Sequence, residues 1–482
     1  MKLRSAIRQS VQPPPANSSP SSVELHPSPS SSSPSLPQSS SPRNDHPVAL
    51  VTPASFVLTC AQVSHLRRAA LTYAHSDATQ SLKDALQTIT GHHLALQAQD
   101  ETAVALSLWV RLPPRLQRVA SRSVLGKQAL IGENKQLVRM WGNRGTLQLS
   151  KRGDWPAISA AVRERVRSTL QNRVRKHGAE AMQFLSDAET HFGRRLNDGS
   201  GFNSADVENF VSQIIPRTVS GHRDICCSVK HSVPLLVTVD GRGERITIGD
   251  NRRPTIVPRR HGKWDNVSEL NGLVRCASRY FDVYGPATEQ DFRYWMGVKA
   301  GISKCAVKAC LESGEIRVVE TDNGEMMLHR RRFAEIEQLQ SMSSRVQRRV
   351  WLLGRFDALL LAHKDKSWLV DEHERRSVWS FHSDVSPTVL LDGWIRGTWR
   401  RDGPKLIRVV LFEGLWGCFV DEDALSEICN TGKQMLSQFW EVDGRVVVEV
   451  GGREVMSAEQ EVRTTGDDEL DRGRRSKRAR RG

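Results

Sequence analysis

The spacing of apolar and polar residues predicts a chain of repeated units, each with three helices followed by a hairpin. In the clearest unit, Tyr284-Gly285-Pro286 ends a first helix and Thr288 caps a second. Its predicted elements are helices over 269–283, 289–297 and 304–313, then strands over 315–321 and 325–331 around Asp322-Asn323-Gly324. These turn residues are a strong hairpin signal. Three helices and a hairpin are the elements of a winged helix.

Two earlier segments show the same order of elements less clearly. The first has predicted helices around 63–75, 80–90 and 100–112, then strands over 136–141 and 146–151 that turn at Gly142-Asn143-Arg144-Gly145. The second has predicted helices within 155–187 and 204–215, then a hairpin over 234–250 that turns at Asp240-Gly241. An extended basic segment, residues 251–263, follows it.

After residue 350 the pattern changes to short β runs separated by Gly, Asp and Pro. These runs cover 350–356, 386–401, 405–412 and 445–450, and a linking helix is predicted before them over 336–349. Short strands at such spacing indicate a small closed or half-closed sheet.

Charge gives the first indication of a partner. The 482-residue chain has a net charge of +15, with 38% hydrophobic and 26% charged residues. The end of the chain, 472–482, has seven basic residues and no acid, 457–471 has a net charge of −5, and 1–48 has +2. Removing these three segments leaves +11 on residues 49–456, so the predicted folded body is itself basic. Nucleic acid is the simplest partner for such a body, and an inert basic surface is the alternative.

Several other classes of function lack support in the sequence. No apolar run approaches the roughly 18 residues of a membrane span. The eight cysteines show no metal-ligand spacing, and neither the dinucleotide-binding nor the phosphate-loop glycine pattern occurs. We therefore expect no metal, no cofactor and no membrane, with reduced, mostly buried thiols and a monomer favoured.

The two ends of the chain differ from the body in composition. Residues 11–43 are rich in Ser and Pro and cannot bury enough apolar area to fold. The basic residues at 472–482 are typical of a nuclear import signal or a non-specific DNA arm, and residues 1–12 resemble a mitochondrial targeting start. We expect a nuclear protein, with the mitochondrion as the alternative.

Two glutamines interrupt the apolar run at 91–111. Gln97 and Gln99 flank Ala98, although a buried amide needs several hydrogen-bond partners. On a regular helix their side chains would point roughly 200° apart, whereas residues i and i+2 share a face in an extended backbone. Both amides can meet one ligand only if the preceding helix ends near Leu96.

Four motifs together resemble a known family. The segments QLVRMWGNRGTLQL, YGPATEQDFRYWMG, LLGRFDALLLAHKD and VLLDGWIRGTW begin at residues 136, 284, 352 and 389. They resemble, in order, the winged-helix DNA glycosylases of the AlkZ type, over roughly residues 55–440. That family commonly has histidine after the R-G-T-L of its first wing, where this chain has Gln148. This difference from the family favours the non-catalytic alternative given below.

The resemblance implies an α+β fold, mainly α, with three tandem winged helices and a small C-terminal β-barrel. With the composition, it divides the chain into disordered 1–48, winged helices over 49–153, 154–262 and 263–335, a linker helix and barrel over 336–456, and a disordered tail over 457–482.

The resemblance also implies a role for the two glutamines. The family has a Gln-x-Gln signature, or Gln-x-Asp in another branch, in the cleft that holds the damaged nucleotide, and Gln97-Ala98-Gln99 matches the first form. Amides are poor general bases, but an N7- or N3-alkylated purine already carries positive charge and leaves readily. Oriented amides need only position a water and stabilise the sugar cation. Alternatively, the two glutamines merely cap a helix.

We therefore expect a monofunctional, cofactor-free DNA glycosylase that excises bulky or crosslinked alkylated purines from double-stranded DNA. The alternative is a non-catalytic winged-helix DNA-binding protein, architectural or regulatory. Gln97 and Gln99 are the predicted catalytic residues. The arginines predicted to contact DNA lie on the wings or in the basic segment: Arg139, Arg144, Arg252, Arg253, Arg259, Arg260, Arg330, Arg331 and Arg332. Trp141, Trp295, Trp394 and Trp399 are predicted to be core aromatics, and Asp357 and Asp392 to be turn residues.

Overall fold

The chain has a mixed α and β fold in which three small sheets and one larger sheet are joined by helices. The computed structural model describes residues 57–459 except for 72–79, 132–133, 135, 198–201, 216–220, 238–243, 249–253, 259–266, 342–348, 381–383 and 414–419. The described residues all belong to one unit of the chain, Ala54–Gly482.

The described chain begins with strand β1 (Val57–Leu58) and helix α1 (Cys60–Arg67), which a 3-10 turn over Arg68–Leu71 follows. Strand β1 pairs in parallel with a strand more than 250 residues later, where Leu58 lies opposite Thr321. Leu58, Val63 and Leu66 pack with Leu328 in a separate small apolar cluster. The helix predicted over 63–75 for the first unit is therefore shorter and packs against the third hairpin instead.

The first unit, residues 82–151, has its predicted hairpin in place. Its helices are α2 (Leu82–His93), α3 (Glu101–Trp109), α4 (Pro114–Gln117) and α5 (Arg122–Leu125), which a π-helical turn over Gly126–Ile131 extends. Its strands are β2 (Leu96–Gln97), β3 (Leu137–Trp141) and β4 (Leu147–Lys151), and β4 lies between the other two. Strands β3 and β4 are joined by a 3-10 turn over Asn143–Gly145.

The second unit, residues 155–258, differs from its prediction at the hairpin. Its helices are α6 (Trp155–Arg175), α7 (Ala179–Asn197), α8 (Ser204–Ile214) and α9 (His222–Val237). Its strands are β5 (Phe202–Asn203), β6 (Glu244–Ile248) and β7 (Pro254–Pro258). Residues 234–237, predicted as the first strand, are the end of helix α9, and the hairpin pairs β6 with β7 instead.

The third unit, residues 269–329, follows its prediction closely. It contains α10 (Glu269–Tyr284), α11 (Glu289–Met296), α12 (Ala300–Glu312), β8 (Ile316–Thr321) and β9 (Gly324–His329). Thr288 caps α11 as predicted, and the structure adds a reciprocal hydrogen-bonded box with Asp291. Helix α12 begins at Ala300, earlier than the predicted range of 304–313.

The C-terminal part is built on one sheet, which helix α13 (Phe333–Ser341) precedes. The sheet has the order β10 (Val350–Leu353), β11 (Thr388–Leu391), β12 (Trp394–Arg401), β13 (Leu406–Leu411), β14 (Arg445–Val450) and β15 (Arg453–Glu459). Helices α14 (Ala358–Ala362), α15 (Arg375–Val378) and α16 (Glu422–Gln434) lie between strands, and a π-helical turn over Met435–Phe439 extends α16. No closed barrel forms among the described strands, and β15 continues past residue 456, the predicted end of the body.

A buried ion pair joins the first unit to the C-terminal part. Asp357 accepts two hydrogen bonds of 2.8 Å from Arg111, and both side chains are at most 1% exposed. Arg111 also donates to His93, which contacts the hydroxyl of Tyr284 in the third unit. Burial would raise the pKa of Asp357, but the charge and hydrogen bonds of Arg111 outweigh it and lower that pKa. Asp357 is thus a structural residue at the start of α14, as its turn context predicts.

Candidate active site and DNA-binding surface

The Gln97-Ala98-Gln99 segment lies outside any helix, at the end of strand β2 and between α2 and α3. Helix α2 ends at His93, and Leu94 adopts a left-handed φ of 61° that turns the chain away from the helix axis. Gln97 then pairs with Gln148 on β4, and Ala98 donates its N–H to the carbonyl of Leu147 at 2.8 Å. The helix therefore ends before Leu96, which is the condition for both amides to contact one ligand.

The two amides contact each other directly. Gln97 Nε2 donates to Gln99 Oε1 at 3.1 Å, and Arg144 Nη2 donates to Gln97 Oε1 at 3.3 Å. Gln97 is half-buried and Gln99 is exposed, so the pair lies at an accessible surface. Arginine carries only donors, so it fixes the orientation of the Gln97 amide and, through it, that of Gln99.

The helix cap beside this pair is Asp100. Its carboxylate accepts the backbone N–H of Ala103 at 2.9 Å at the start of α3. The two glutamines therefore do not provide the side-chain cap that the alternative interpretation assigned to them.

Gln148, the position where the family commonly has histidine, lies directly across the sheet from Gln97. It is buried, at 3% exposure, and donates to the hydroxyl of Thr146 at 2.7 Å. A Cβ on Gly142 would come within 2.9 Å of Gln148 Cγ, so the wing needs glycine there to accommodate this side chain. Residues opposite each other on paired strands share a face of the sheet, which puts Gln148 on the same face as Gln97.

Arg144 connects the wing turn of the first unit to the third unit. It has a left-handed φ of 56°, and its guanidinium lies 5.8 Å from the centre of the Tyr294 ring on α11. Burial lowers the pKa of Arg144, and Tyr294 partly opposes that shift. Arg144, predicted as a DNA contact of the wing turn, thus also contacts the glutamine pair.

Lys366 lies near the same tyrosine ring as Arg144. Its ammonium is 5.3 Å from the Tyr294 ring and 5.2 Å from the Trp379 ring, and it donates to the carbonyl of Leu360 at 2.8 Å. Only 3% of Lys366 is exposed. Burial, with the positive charge of Arg144 as the next cause, lowers its pKa to about 7. No sequence motif identified this lysine, because only the fold brings it near Arg144.

Two of the arginines predicted to contact DNA have side chains buried in the interior. Arg139 is 4% exposed and donates to the carbonyl of Ala98 at 2.9 Å, so it supports the glutamine segment from behind. Arg332 is also 4% exposed and donates to the carbonyls of Leu66 and Gly285. Neither guanidinium can reach a phosphate without losing these contacts.

The other predicted arginines fall into two groups. Arg330 and Arg331 are exposed, in a 3-10 turn directly after β9. Arg252, Arg253, Arg259 and Arg260 lie outside the described residues.

Two arginines and a threonine on helix α6, which no sequence motif identified, also lie beside Arg144. Arg165, Thr169 and Arg173 lie on α6 and line a cavity of about 100 Å³ together with Arg144. Their spacing of four residues could have identified them as one face of a helix. A second cleft, of about 570 Å³, lies between α3 and the C-terminal sheet, and its lining includes Asp100, Arg122 and Arg401.

The tryptophans fit their predicted packing role in part. Trp295 and Trp399 are 4% and 6% exposed, whereas Trp141 and Trp394 are half-buried. Asp392 is a turn residue with a φ of 52°, and it accepts the backbone N–H of Arg349 at 2.9 Å. Within the described part of the chain, no helix is long and apolar enough to cross a membrane, and no group of His, Cys, Asp or Glu could hold a metal ion.

Comparison with solved structures finds a similar protein of known fold. The Streptomyces sahachiroi DNA glycosylase AlkZ matches with a TM-score of 0.61 and 16% sequence identity, over 82% of this chain and 100% of that one. No curated protein gave a significant sequence match. The matching structure comes from a bacterium, which has neither nucleus nor mitochondrion. This finding contradicts the expectation of a nuclear or mitochondrial protein, and we withdraw it.

The family comparison covers most of the chain. The model of the family described as "DNA glycosylase AlkZ-like" matches residues 90–435, which include the glutamine pair, the first wing and most of the C-terminal sheet. The similar α+β structure agrees with that match. The chain therefore belongs to the AlkZ-like DNA glycosylase family, whose activity is DNA repair and whose partner is DNA.

Proposed function

We propose that this chain is a monofunctional glycosylase that excises bulky or crosslinked N7- or N3-alkylated purines from double-stranded DNA, using Gln97 and Gln99. The observation that carries this proposal is the accessible pair of amides, oriented by Arg144 and joined at 3.1 Å. A monomer without a cofactor is sufficient for this reaction.

The amides fit a leaving group that already carries positive charge. Gln97 Oε1 accepts from Arg144 and Gln99 Oε1 accepts from Gln97, which leaves the second lone pair of each oxygen for a water or the sugar cation. Oriented dipoles of this kind stabilise a developing charge without reorganising in the transition state. A neutral purine would also need a strong acid at the leaving base, and an amide cannot supply one.

The three helix–sheet units are the proposed means of holding DNA. We infer that each acts as a winged helix, since each combines helices with a two-stranded hairpin. Arg144 at the first wing, and Arg330 and Arg331 after the third hairpin, are the proposed DNA contacts among the described residues. The proposal extends to Arg252, Arg253, Arg259 and Arg260.

The decisive experiment uses duplex DNA that contains a single N7-alkylguanine. After incubation with the protein, alkali cleavage and a denaturing gel reveal any abasic site. We expect strand cleavage at the lesion and none with unmodified DNA. Tight binding to the lesion duplex without excision would contradict the enzyme and support the non-catalytic DNA-binding alternative.

A binding assay tests the DNA contacts separately. Because residues 49–456 have a charge of +11, their affinity for duplex DNA should fall by roughly a decade or more between 50 and 200 mM salt. Deleting 472–482 should weaken binding without abolishing it. Salt-independent binding would contradict the proposed phosphate contacts.

A further inference from the structure

The cavity beside the glutamine pair is lined by three arginines and no acid. Its polar side chains belong to Arg144, Arg165, Arg173 and Thr169, and its volume is about 100 Å³. A water needs only about 10–15 Å³ of such space, so the cavity has room for a larger group.

The positive charges around this cavity are not neutralised. Within the described part of the chain, none of the three guanidinium groups takes part in an ion pair. Arg144 Nε is buried and has no hydrogen-bond partner there. Bringing unpaired cations together costs free energy that a bound anion would offset. Burial lowers the pKa of both Arg144 and Arg165, so removing these two cations from water is also unfavourable.

Gly297 allows two of these arginines to approach each other. It ends α11 with a left-handed φ of 70°, and both side chains pass over it. A Cβ at this position would clash with the guanidinium of Arg165 and lie 2.8 Å from Arg144 Cγ. At the point where the wing of the first unit meets α6 of the second, the third unit therefore contributes only backbone. The absence of a side chain there leaves room for both arginines.

We propose that this cavity binds one backbone phosphate of the damaged DNA strand, held by Arg144, Arg165, Arg173 and the Thr169 hydroxyl. The inference rests on the proposed function, because the DNA strand supplies the phosphate. Guanidinium groups bind phosphate oxygens with paired, charge-assisted hydrogen bonds. Arg144 also donates to Gln97 at 3.3 Å, so one side chain connects the phosphate to the catalytic amides. Holding this phosphate fixes the distance between the strand and the amides, which makes Arg165 and Arg173 positioning residues.

The test combines arginine variants with DNA that lacks one phosphate charge. Arg165→Ala and Arg173→Ala remove cavity groups, and Arg167→Ala is the matched control, an exposed arginine of the same helix that does not line the cavity. Binding is measured to a duplex with an uncleavable abasic-site analogue, in which each phosphate near the lesion is replaced in turn by a neutral methylphosphonate.

For the wild type, we expect the neutral replacement at one position to weaken binding roughly tenfold, the scale of a charge-assisted hydrogen bond. Arg165→Ala and Arg173→Ala should each weaken binding by part of that amount and respond less than the wild type to replacement at that position, because the other groups of the cavity remain. Their salt slopes should fall by about 0.9 for one lost phosphate contact. Arg167→Ala should still respond to the replacement. In excision assays, the cavity variants should need more protein for half-maximal rate, and their maximal single-turnover rate should also fall, because the strand is no longer held at a fixed distance from the amides.

Several outcomes would overturn the proposal. If Arg165→Ala, Arg173→Ala and Arg167→Ala respond equally at every position, the cavity does not contact the DNA. Competition by millimolar inorganic phosphate, with no sensitive position in the DNA, would assign the cavity to a free anion. Arg173 is exposed, so its variant should melt like the wild type and keep the test valid if Arg165→Ala fails to fold. Because the duplex is uncleavable, this result does not depend on whether the chain excises a base.

Discussion

Arg144 donates a hydrogen bond to Gln97 at 3.3 Å, although the two residues lie 47 positions apart in the sequence. The contact joins the wing turn to the short strand before α3. It also fixes the orientation of both amide groups, because an arginine side chain can only donate hydrogen bonds. Removing Arg144 should therefore disturb the order of the site as well as its charge.

Gln97→Ala and Gln99→Ala should each lower the single-turnover excision rate of a cationic alkylpurine by roughly 10²–10³-fold, as expected for a preorganised polar group. The double variant should lose less than the product of the two effects, because both amides act on one transition state. Affinity and melting temperature should stay close to the wild type, since neither amide caps a helix. Loss of stability with intact excision would contradict the catalytic role.

Asp100→Ala should give the opposite pattern. Removing the cap of α3 should lower the free energy of unfolding by about 1 kcal/mol, while excision at saturating protein changes little. Asp100→Asn should keep most of the stability, because asparagine also caps helices. Denaturant unfolding and excision rates measured on the same samples distinguish a helix-capping role of Asp100 from a catalytic one. A stable Asp100→Ala variant without excision would make Asp100 the general base instead.

Asp357→Ala should lower the free energy of unfolding by about 3–5 kcal/mol, because it leaves Arg111 buried without its partner. The exposed pair of Asp384 and Arg355 provides the control, and Asp384→Ala should leave the melting temperature nearly unchanged. The pKa of Asp357 is lowered in the folded protein, so its stabilisation is present above the ordinary aspartate pKa of about 3.9 and is lost as pH falls below it. Melting curves at neutral and acidic pH test both statements.

Lys366→Met should change how stability depends on pH. The folded pKa is about 7 and the ordinary value is 10.5, so between these values the unfolded chain binds more protons than the folded one. Wild-type stability should therefore gain a contribution as pH rises from 7 to 10.5, and the methionine variant should lack it. Relative to the wild type, Lys366→Met should be more stable at pH 6 than at pH 9. Equal differences at both pH values, measured by denaturant unfolding, would contradict a buried, titrating lysine.

The local signals in the sequence predicted most of the first and third units. Thr288 and Asp291 form their cap, and the glycine-containing turn at 142–145 joins its two strands as expected. The second hairpin was misplaced because the apolar residues before Asp240-Gly241 continue helix α9 to Val237, so the apolar run belongs to a helix. An isolated apolar run does not distinguish these two structures.

The basic residues of the site were harder to predict. Arg139 has the spacing of a wing residue, but its guanidinium turns inward to the carbonyl of Ala98. Arg165 and Lys366 lie near Arg144 only because separate units of the fold contact each other. No local sequence pattern predicts such contacts. Residue type and spacing thus identified the two amides, whereas the charges that surround them follow from tertiary packing.

The pairing of β1 with β8 also sets a time order for synthesis on the ribosome. The N–H of Cys60 donates to the carboxylate of Asp322, a residue 262 positions later. At a translation rate of about 5–20 residues per second, roughly 10–50 s separate the appearance of these partners. Through that interval Leu58, Val63 and Leu66 have no native cluster to join, so the nascent chain exposes them while the first and second units are completed. The start of the described chain can therefore reach its native contacts only after the third unit appears, and its pairing with β8 is a step of high contact order.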